Sequence, residues 1–471
     1  MYLSKRILEI GLDKEYSLLI SGLSGRVNLA KTTWWKKIKE QINWKKPLTE
    51  RDEGALKENG YLFTSLKEEE KEYKKISRTG KQQISKDKRL MVVVNFSEGC
   101  NLACPYCVNR HQRNQKIMSL KHLAGIFKII DKFKKEGRQV KLISLFGGEP
   151  LRQETKFLFK EFLPEAKKRE MKIKVFTNGV EIREFAGLLK KYRSLFLPMQ
   201  ITVDGPARIH DQRRIGPKYP KTFKIIMDNI DWLIKNEIPV SLRTNVERIN
   251  FSYLPVLARE IIQRGWSESK NFSAYLGLVC ADEPCYSKTN PKSRVVSFVK
   301  KYRQLLKKNP EMKLFSEESL YSFPEKFMMS ALTGKKNYPK VGFCKSCGAG
   351  SYTFAADRKV YACMGSVGLK DFCLGRYYPK LIWDPKNLEK WQKRYSVNLK
   401  KCQDCPLVFI CGGECPLAAF KQTGNIYEPY CREAIKNFVE FVKISRKEII
   451  SLKQACSRKK RELVKSAPGI I

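Results

Sequence analysis

Three cysteines in one short segment, Cys100, Cys104 and Cys107, carry the clearest chemical signal in this sequence. They are spaced Cys-x3-Cys-x2-Cys and closely follow an apolar run at 91–96 that predicts a buried strand. Three thiolates from one loop can hold three corners of a cubane iron–sulfur cluster, whereas an electron-transfer cluster usually takes four cysteines. One iron would then lack a protein ligand. The spacing therefore predicts a cluster with an open corner, where a small molecule can coordinate.

Nine further cysteines lie between residues 344 and 431. They are Cys344, Cys347, Cys363, Cys373, Cys402, Cys405, Cys411, Cys415 and Cys431. Clustered cysteines in a chain without a secretory signal favour thiolate ligands in a reducing compartment over disulfides. Paired Cys-x2-Cys units also bind structural zinc, so two zinc sites remain an alternative to iron here.

Apolar segments of strand length alternate with amphipathic segments of helix length from residue 90 onward. The predicted strands are 91–96, 141–146, 172–177, 197–203, 240–245 and 272–279. Six strands joined by five helices predict an α/β domain whose parallel sheet curls into a partial barrel. In such barrels the chemistry lies in the loops at the C-terminal ends of the strands.

Polar and glycine-rich motifs recur where the predicted strands end. The Gly-Gly-Glu-Pro segment 147–150 follows the second strand, and the segments 177–179, 202–205 and 243–245 end the next three. Asn-Gly and Asp-Gly dipeptides are common in ordinary turns. Their recurrence at the same end of successive strands nevertheless predicts a site shared with the three-cysteine loop.

The composition is that of a soluble globular protein with a strong positive charge. The 471 residues are 42% hydrophobic, and 92 Lys and Arg against 48 Asp and Glu give a net charge of +44. No apolar run is long enough to span a bilayer, and the N-terminus lacks a signal-peptide core, so we expect a cytoplasmic protein without a membrane partner. The charge favours either an acidic partner or simply a lysine-rich solvated surface.

Composition and pattern divide the chain into four predicted parts. Residues 1–85 predict a small winged-helix-like α+β module, with a plain extension packed on the core as the alternative. The partial barrel is placed at 86–335, the cysteine-rich domain at 336–432 and a basic C-terminal helix at 433–471.

With these motifs, the chain resembles the radical S-adenosylmethionine (SAM) enzymes over residues 90–432, and within them the branch that carries a SPASM domain. The resemblance implies a partial (β/α)6 radical SAM barrel followed by a cysteine-rich SPASM domain. It implies that Cys100, Cys104 and Cys107 bind a [4Fe-4S] cluster whose open iron is chelated by SAM.

The same resemblance assigns the contacts to SAM. Tyr106 matches a position close to the adenine, and Gly147, Gly148 and Glu149 match the motif that receives the methionyl amino group. The segment after the fourth strand is similar to one in anaerobic sulfatase-maturating enzymes. There, the positions of Thr202 and Arg213 contact the ribose and the carboxylate of the cofactor.

Two auxiliary [4Fe-4S] clusters are implied by the SPASM spacing. By analogy, one uses Cys344, Cys347, Cys363 and Cys415, and the other uses Cys402, Cys405, Cys411 and Cys431. Cys280, Cys285, Cys373 and Cys456 are left without an assigned role. The chain departs from the family at Arg358, where a glycine is usual, so the turn geometry there is open.

The implied activity is reductive cleavage of SAM to a 5′-deoxyadenosyl radical that modifies a ribosomally made peptide by a thioether or carbon–carbon crosslink or a related oxidation. Such an oxidoreductase-type maturase takes electrons from a donor such as flavodoxin or ferredoxin. The N-terminal module loosely resembles precursor-recognition domains, which bind a leader peptide as an added strand. The positive charge suits an acidic leader.

Two alternatives remain at this point. In a sulfatase-type Ser or Cys oxidase, an Asp that acts as a base follows the position of Cys363, but this chain has Met364 there. Asp282 and Glu283 are substitute candidates, and no catalytic residue is assigned. The other alternative, a nucleic-acid-binding protein with structural clusters, is disfavoured because structural clusters do not need an open corner. We therefore expect a peptide partner, not a nucleic acid.

Overall fold

A computed structural model of the chain describes residues 1–107, 109, 115–279, 293–333, 338–431 and 434–460, without the side chains at 293–294 and 456–460. Cys280, Cys285, Asp282 and Glu283, which the sequence analysis singled out, lie outside the described residues, as does the side chain of Cys456. Within the described ranges, no helix is both long and apolar enough to cross a bilayer.

The centre of the molecule is a ten-stranded sheet, of which six neighbouring strands are the predicted parallel set. These strands are β6 (Met91–Val94), β7 (Leu142–Leu145), β8 (Lys172–Thr177), β9 (Met199–Thr202), β10 (Val240–Val246) and β11 (Phe272–Leu278). They are paired in chain order and every pairing is parallel. The predicted α/β arrangement of six parallel strands is thereby confirmed, and all six strands end at the same edge.

Helices connect these strands and cover the outside of the sheet. They are α4 (Leu120–Lys135), α5 (Lys156–Lys168), α6 (Ala186–Lys191), α7 (Ala207–Arg213), α8 (Phe223–Lys235) and α9 (Leu254–Gln263). The start of α4 is fixed because Ser119 and His122 form a capping box. Phe96, just after β6, packs edge-on against Phe159 and Phe162 of α5 with ring centroids 5.3 Å away in both pairs. One apolar core thus holds β6 and α5 in contact.

The sheet continues across the boundary predicted near residue 335. β6 also pairs in parallel with β12 (Ser351–Phe354), which begins an antiparallel extension. The extension contains β13 (Lys359–Tyr361), β14 (Cys373–Arg376) and β15 (Ile382–Trp383), and it is followed by α12 (Pro385–Gln392), α13 (Val408–Cys411) and α14 (Pro416–Thr423). Arg358 keeps the turn between β12 and β13 in the left-handed region, with φ of 71°. The turn is therefore retained without the usual glycine.

The N-terminal module has three antiparallel strands followed by three helices. Its elements are β1 (Tyr2–Leu3), β2 (Ile7–Gly11), β3 (Tyr16–Ser21), β4 (Val27–Lys31), α1 (Thr32–Asn43), α2 (Glu50–Glu58), β5 (Leu62–Phe63) and α3 (Leu66–Lys86). β2, β3 and β4 form the sheet, and β1 pairs with β5. The order of elements agrees with the expected α+β module.

Arg6 connects the N-terminal module to the cysteine-rich segment through hydrogen bonds. The guanidinium is 2% exposed and donates to Glu69 Oε1 at 3.0 Å and to the Gln403 carbonyl at 2.9 Å. It also lies 4.3 Å from the centre of the Tyr73 ring. A buried cation therefore joins α3 to the loop that carries Cys402 and its neighbours.

The C-terminal segment differs from the expected single basic helix. It forms two helices, α15 (Ala434–Ile444) and α16 (Arg446–Lys460), that are separated at Ser445. Phe438, Phe441 and Val442 are buried in the main core, so α15 is an integral part of the fold. Two further helices, α10 (Ser293–Lys308) and α11 (Phe323–Leu332), precede the cysteine-rich segment, and α15 packs against α10.

Candidate active site

The three-cysteine loop follows the end of β6, and hydrogen bonds to Ile215 and within the loop hold its backbone. Ala103 N donates to the Ile215 carbonyl at 2.6 Å, and Cys107 N donates to the Cys104 carbonyl at 3.2 Å. All three cysteines border one small cavity of about 190 Å³, together with Gly148 and other residues. The structure thus brings the three predicted ligands together.

The thiols of this loop are poor acids in their surroundings. Burial, followed by the charge of Glu149, raises the pKa of Cys100 to about 12, and burial also raises the pKa of Cys104. Thiolates at these positions would need a bound metal to stabilise them. Within the described residues, no three His, Cys, Asp or Glu side chains are close enough to share one metal ion.

A larger cavity of about 310 Å³ opens on the other side of the loop. Its wall includes Cys100, Cys104, Tyr106, Cys107, Gly147, Gly148, Glu149, Thr177, Asn178, Gln200, Thr202, Arg214, Arg243, Asn245, Cys415, Leu417 and Lys421. The polar strand ends therefore meet at one site, as the sequence predicted. Cys415 and its neighbours on α14 show that the cysteine-rich segment closes part of the same cavity.

The glycine-rich segment after β7 is packed directly against the cysteine loop. Gly148 N donates to the Ser97 carbonyl and Glu149 N to the Gly99 carbonyl, both at 2.9 Å. A Cβ atom on Gly148 would lie 1.9 Å from the Gly99 carbonyl oxygen, so only glycine fits there without displacing backbone. Gly148 thus sets the distance between the loop and the strand end.

Glu149 presents a buried carboxylate on the cavity wall. It is 1% exposed and accepts hydrogen bonds from Leu151 N at 2.9 Å, Thr177 Oγ1 at 2.5 Å and Asn178 N at 2.6 Å. Burial raises its pKa to about 7, although the three hydrogen bonds act in the opposite direction. Oε2 accepts from Asn178 N alone, so it has room for another donor, which the predicted contact with an amino group requires.

Tyr106 belongs to a charged cluster beside the loop. Its hydroxyl donates to Asp204, accepts from Arg214 Nη1 at 2.7 Å, and the Arg213 guanidinium lies 4.8 Å from its ring centre. Asp204 also accepts from Asn245 N at 3.1 Å. The cluster connects the loop to the ends of β9 and β10 and fixes the orientation of the Tyr106 ring.

Arg213 and its neighbour Arg214 differ from the expectation. Arg213 pairs with Glu247 at 2.9 Å and lies 3.5 Å from Asp204, and it is absent from the cavity wall, whereas Arg214 lines the wall. Adjacent arginines at the end of α7 point to different neighbours, so sequence alone does not separate them. The contact predicted for Arg213 would require it to leave this buried ion pair, while Thr202 lies on the wall as expected.

Electrostatic interactions link Cys363 with Cys344, and Cys402 with Cys405 and Cys431. Burial, followed by the charge of Cys344, raises the pKa of Cys363 to about 11. Burial, followed by the charges of Cys405 and Cys431, raises the pKa of Cys402 to about 12. These couplings agree with the two predicted ligand sets, which stay predictions.

Arg243 is a cavity residue to which the sequence analysis gave no role. Its segment was noted as a polar strand end, but the side chain points into the barrel and its Nε donates to Asn245 Oδ1 at 2.8 Å. Tyr275 of β11 donates to Gln200 of β9 nearby. A charged residue in the middle of a predicted interior strand was the signal available in the sequence.

Comparison with known proteins identifies the domain that carries this site. Residues 94–259 match the profile of the Radical SAM superfamily, and this range includes the cysteine loop and the ends of β7 to β10. Residues 94–259 are a radical SAM domain. The resemblance stated from the sequence is confirmed, and the expected cofactors, SAM and a [4Fe-4S] cluster, follow from this domain.

Two curated relatives of the radical SAM domain are sulfatase maturases. A cysteine-type anaerobic sulfatase-maturating enzyme of Clostridium novyi is 31% identical over 170 residues, which are 34% of this chain and 44% of the relative. The chain thus aligns with less than half the length of that relative. A serine-type enzyme of Bacteroides thetaiotaomicron is 23% identical over 366 residues, covering 73% of this chain and 86% of the relative.

Solved structures share the fold well beyond the radical SAM domain. Native anSMEcpe with bound AdoMet and a Cp18Cys peptide aligns with a TM-score of 0.56 and 17% identity, covering 78% of this chain and 99% of that chain. Streptococcus suis SuiB bound to S-adenosylmethionine aligns with a TM-score of 0.50 and 14% identity, covering 91% of this chain and 98% of that chain. At these identities the likeness concerns the fold.

Proposed function

We propose that this chain reductively cleaves SAM and uses the resulting 5′-deoxyadenosyl radical to modify a ribosomally made peptide. The observation that carries the proposal is the shared cavity, bordered by the radical SAM cysteine loop on one side and by Cys415 of the cysteine-rich segment on the other. The bound cofactors would supply the radical and the electron. The protein's own residues hold them, exclude water and position the substrate.

In this proposal Cys100, Cys104 and Cys107 hold the [4Fe-4S] cluster beside the cavity. The carboxylate of Glu149 and the backbone of Gly147 and Gly148 receive the amino group of SAM. Thr202 supplies a hydroxyl on the opposite part of the wall, and Tyr106 borders the adenine. Arg214, which lines the wall, is a second candidate for the carboxylate contact assigned to Arg213.

The cysteine-rich segment would carry two auxiliary clusters with the ligand sets given above. Cys415, from the first set, lines the cavity, so that cluster would be adjacent to the substrate and could accept the electron that an oxidised product leaves behind. Cys431 of the second set is exposed, which would suit exchange with a donor such as flavodoxin or ferredoxin. Cys373, by contrast, directs its thiol to the Gly375 carbonyl and belongs to neither set.

The N-terminal module offers a groove that suits a leader peptide. The groove has a volume of about 1210 Å³ and is bordered by Leu62 and Phe63 of β5 and by α3. Apolar side chains lie at its base, and its rim holds more cations than carboxylates, among them Lys71, Lys74 and Arg78. An extended peptide with acidic residues would find apolar contacts and charge complementarity there. anSMEcpe, which has the same fold, was solved with a peptide bound.

Sulfatase maturation is the second candidate, and the two curated relatives favour it. In that reaction a carboxylate acts as a base next to the position of Cys363. Here Met364 follows Cys363, and among the described residues on the cavity wall Glu149 is the one carboxylate. This pattern favours peptide modification that does not depend on that base.

A mass-spectrometric assay separates the two candidates. The anaerobically reconstituted chain is incubated with SAM, a reductant and either a sulfatase-motif peptide or a short peptide encoded beside this gene. Our proposal expects modification of the second peptide without an aldehyde, and none by the Cys104→Ala variant. Formation of an aldehyde on the sulfatase peptide, trapped with a hydrazine, would instead establish the maturase activity. Binding of nucleic acid without 5′-deoxyadenosine formation would reject both.

A further inference from the structure

Arg243 lies in the barrel at the level of Thr202, one inward-facing position below the C-terminal end of β10. It precedes Asn245 by two residues on β10, so both side chains face the interior, and Arg243 is farther from the C-terminal edge. Its neighbours in register are Thr202, the last residue of β9, and Tyr275 on β11. Arg243 therefore borders the shared cavity on β10, which is four strands away from β6 and its cysteine loop in the sheet order, and a substrate beside the cofactor could reach it there.

The guanidinium of Arg243 has no anionic partner among the described residues. Its Nε donates to the neutral amide of Asn245 at 2.8 Å, and the guanidinium also forms a hydrogen bond with the neutral hydroxyl of Tyr275, so these two partners carry no charge. Arg213, in contrast, pairs with Glu247 and Asp204. The carboxylate on the described cavity wall, Glu149, is held by its own three donors. Among the described residues of the cavity wall, none thus compensates the charge of Arg243.

The neighbouring strand leaves space for this cation. A Cβ atom on Gly277 would lie 2.6 Å from Arg243 Nε, so a larger residue on β11 would displace the guanidinium. Arg214 and, from α14, Lys421 add two further positive charges to the same wall. A planar guanidinium matches the geometry of a carboxylate, which it can bind through two parallel hydrogen bonds.

We propose that Arg243 binds a carboxylate of the substrate and thereby selects a peptide with an acidic residue, Asp or Glu, beside the atom that reacts. This inference rests on the proposed peptide substrate and specifies its chemistry. A C-terminal carboxylate has the same chemistry, and the experiment distinguishes it. Arg243 acts by binding and positioning, since no proton transfer is required of it.

The test is a binding titration with SAM present and without reductant, so that no turnover occurs. The probes are acetyl-Ala-Glu-Ala-amide, acetyl-Ala-Gln-Ala-amide and acetyl-Ala-Ala-Ala with a free C-terminus. We expect the Glu probe to bind about 10- to 100-fold more tightly than the Gln probe, the range for a hydrogen-bonded charge pair. Tighter binding of the third probe than of the Glu probe would overturn the choice of an internal acidic residue.

Variants assign the preference to one side chain. Arg243→Gln should abolish the Glu over Gln preference, and Arg243→Lys should retain a part of it. Arg264→Gln is the matched control, because Arg264 pairs with Asp231 at 2.6 Å outside the cavity and its loss removes the same net charge. The control should keep the full preference, which separates a specific contact from general attraction to this basic protein.

Three results would overturn the inference. They are equal binding of the Glu and Gln probes to the unaltered chain, an unchanged preference in Arg243→Gln, and weaker SAM binding in Arg243→Gln with the probe preference intact. The last result would assign Arg243 to the cofactor. If Arg243→Gln does not fold, the comparison of the Glu and Gln probes on the unaltered chain still tests the inference. If no 5′-deoxyadenosine forms on reduction, the proposed function fails while the binding comparison remains valid.

Discussion

Replacing Arg6 with methionine tests how the N-terminal module is held on the rest of the chain. The change removes a cation that is 2% exposed and leaves the equally buried carboxylate of Glu69 without its ion-pair partner. Removal of one member of a buried pair typically costs about 3–5 kcal/mol. Glu69 keeps hydroxyl donors from Tyr2 and from Ser4, the latter at 2.7 Å, so we expect the lower end, about 3 kcal/mol.

Hydrogen exchange is the suitable assay, because a chain of several domains does not unfold in one step. A loss of about 3 kcal/mol should speed exchange of the protected amides in α3 by on the order of a hundredfold. Arg26→Met is the matched control. Arg26 lies 3.8 Å from Glu58 with both side chains exposed, so its loss should cost less than about 1 kcal/mol.

A double variant separates the unpaired charge from the lost packing. Arg6→Met with Glu69→Leu leaves no buried charge and should recover most of the protection of α3. Equal exchange rates in Arg6→Met and Arg26→Met would refute the reasoning, since the buried pair would then contribute no more than an exposed one. If the double variant is as unstable as Arg6→Met, the lost packing of Arg6, and not the unpaired charge of Glu69, is the main cause of the lost stability.

Three further outcomes follow from individual positions. Gly148→Ala places a methyl group 1.9 Å from the Gly99 carbonyl and should lower both SAM affinity and the iron held by the cysteine loop, as measured by equilibrium dialysis and iron analysis. Cys402→Ala should lower the iron content from about 12 to about 8 atoms per chain, while 5′-deoxyadenosine still forms, because each cubane holds four irons. Arg358→Gly should raise the free energy of unfolding by about 1 kcal/mol, measured by denaturant titration, because glycine adopts φ of 71° without strain.

For each of these predictions, a specific result would contradict the reasoning. Unchanged SAM affinity in Gly148→Ala would mean that the loop and the strand end are not in close contact. Loss of all 5′-deoxyadenosine in Cys402→Ala would tie the auxiliary cysteine to the first step of the reaction. Tightly bound zinc in the unaltered chain, in place of about eight of the irons, would reject the auxiliary clusters. Lower stability of Arg358→Gly would place a required contact on the Arg358 side chain.

Local patterns in the sequence were sufficient to predict the barrel. Short apolar runs such as the one in β6 are buried on both faces of a parallel sheet, so they stand out from the amphipathic helices between them. The cysteine spacing and the Gly-Gly-Glu-Pro segment located the site for the same reason. They are short motifs whose residues interact with near neighbours or with the ends of adjacent strands.

Features that depend on distant pairing were not predictable in this way. The parallel pairing of β6 with β12 joins residues about 260 positions apart, as with Val94 and Phe354, and nothing in either strand specifies its partner. The separate orientations of Arg213 and Arg214 depend on where α7 ends. That Arg243 has no anionic partner among the described residues depends on its surroundings in the barrel, which the sequence does not specify.

Reductive cleavage of SAM is the most direct test of the central claim. The chain is reconstituted anaerobically with iron and sulfide, supplied with SAM and reductant, and analysed for 5′-deoxyadenosine. The control is Cys373→Ala, which alters a cysteine outside both predicted ligand sets. We expect 5′-deoxyadenosine from the unaltered chain and from Cys373→Ala, and none from Cys104→Ala. No product from the unaltered chain, or equal product from Cys104→Ala, would contradict the account.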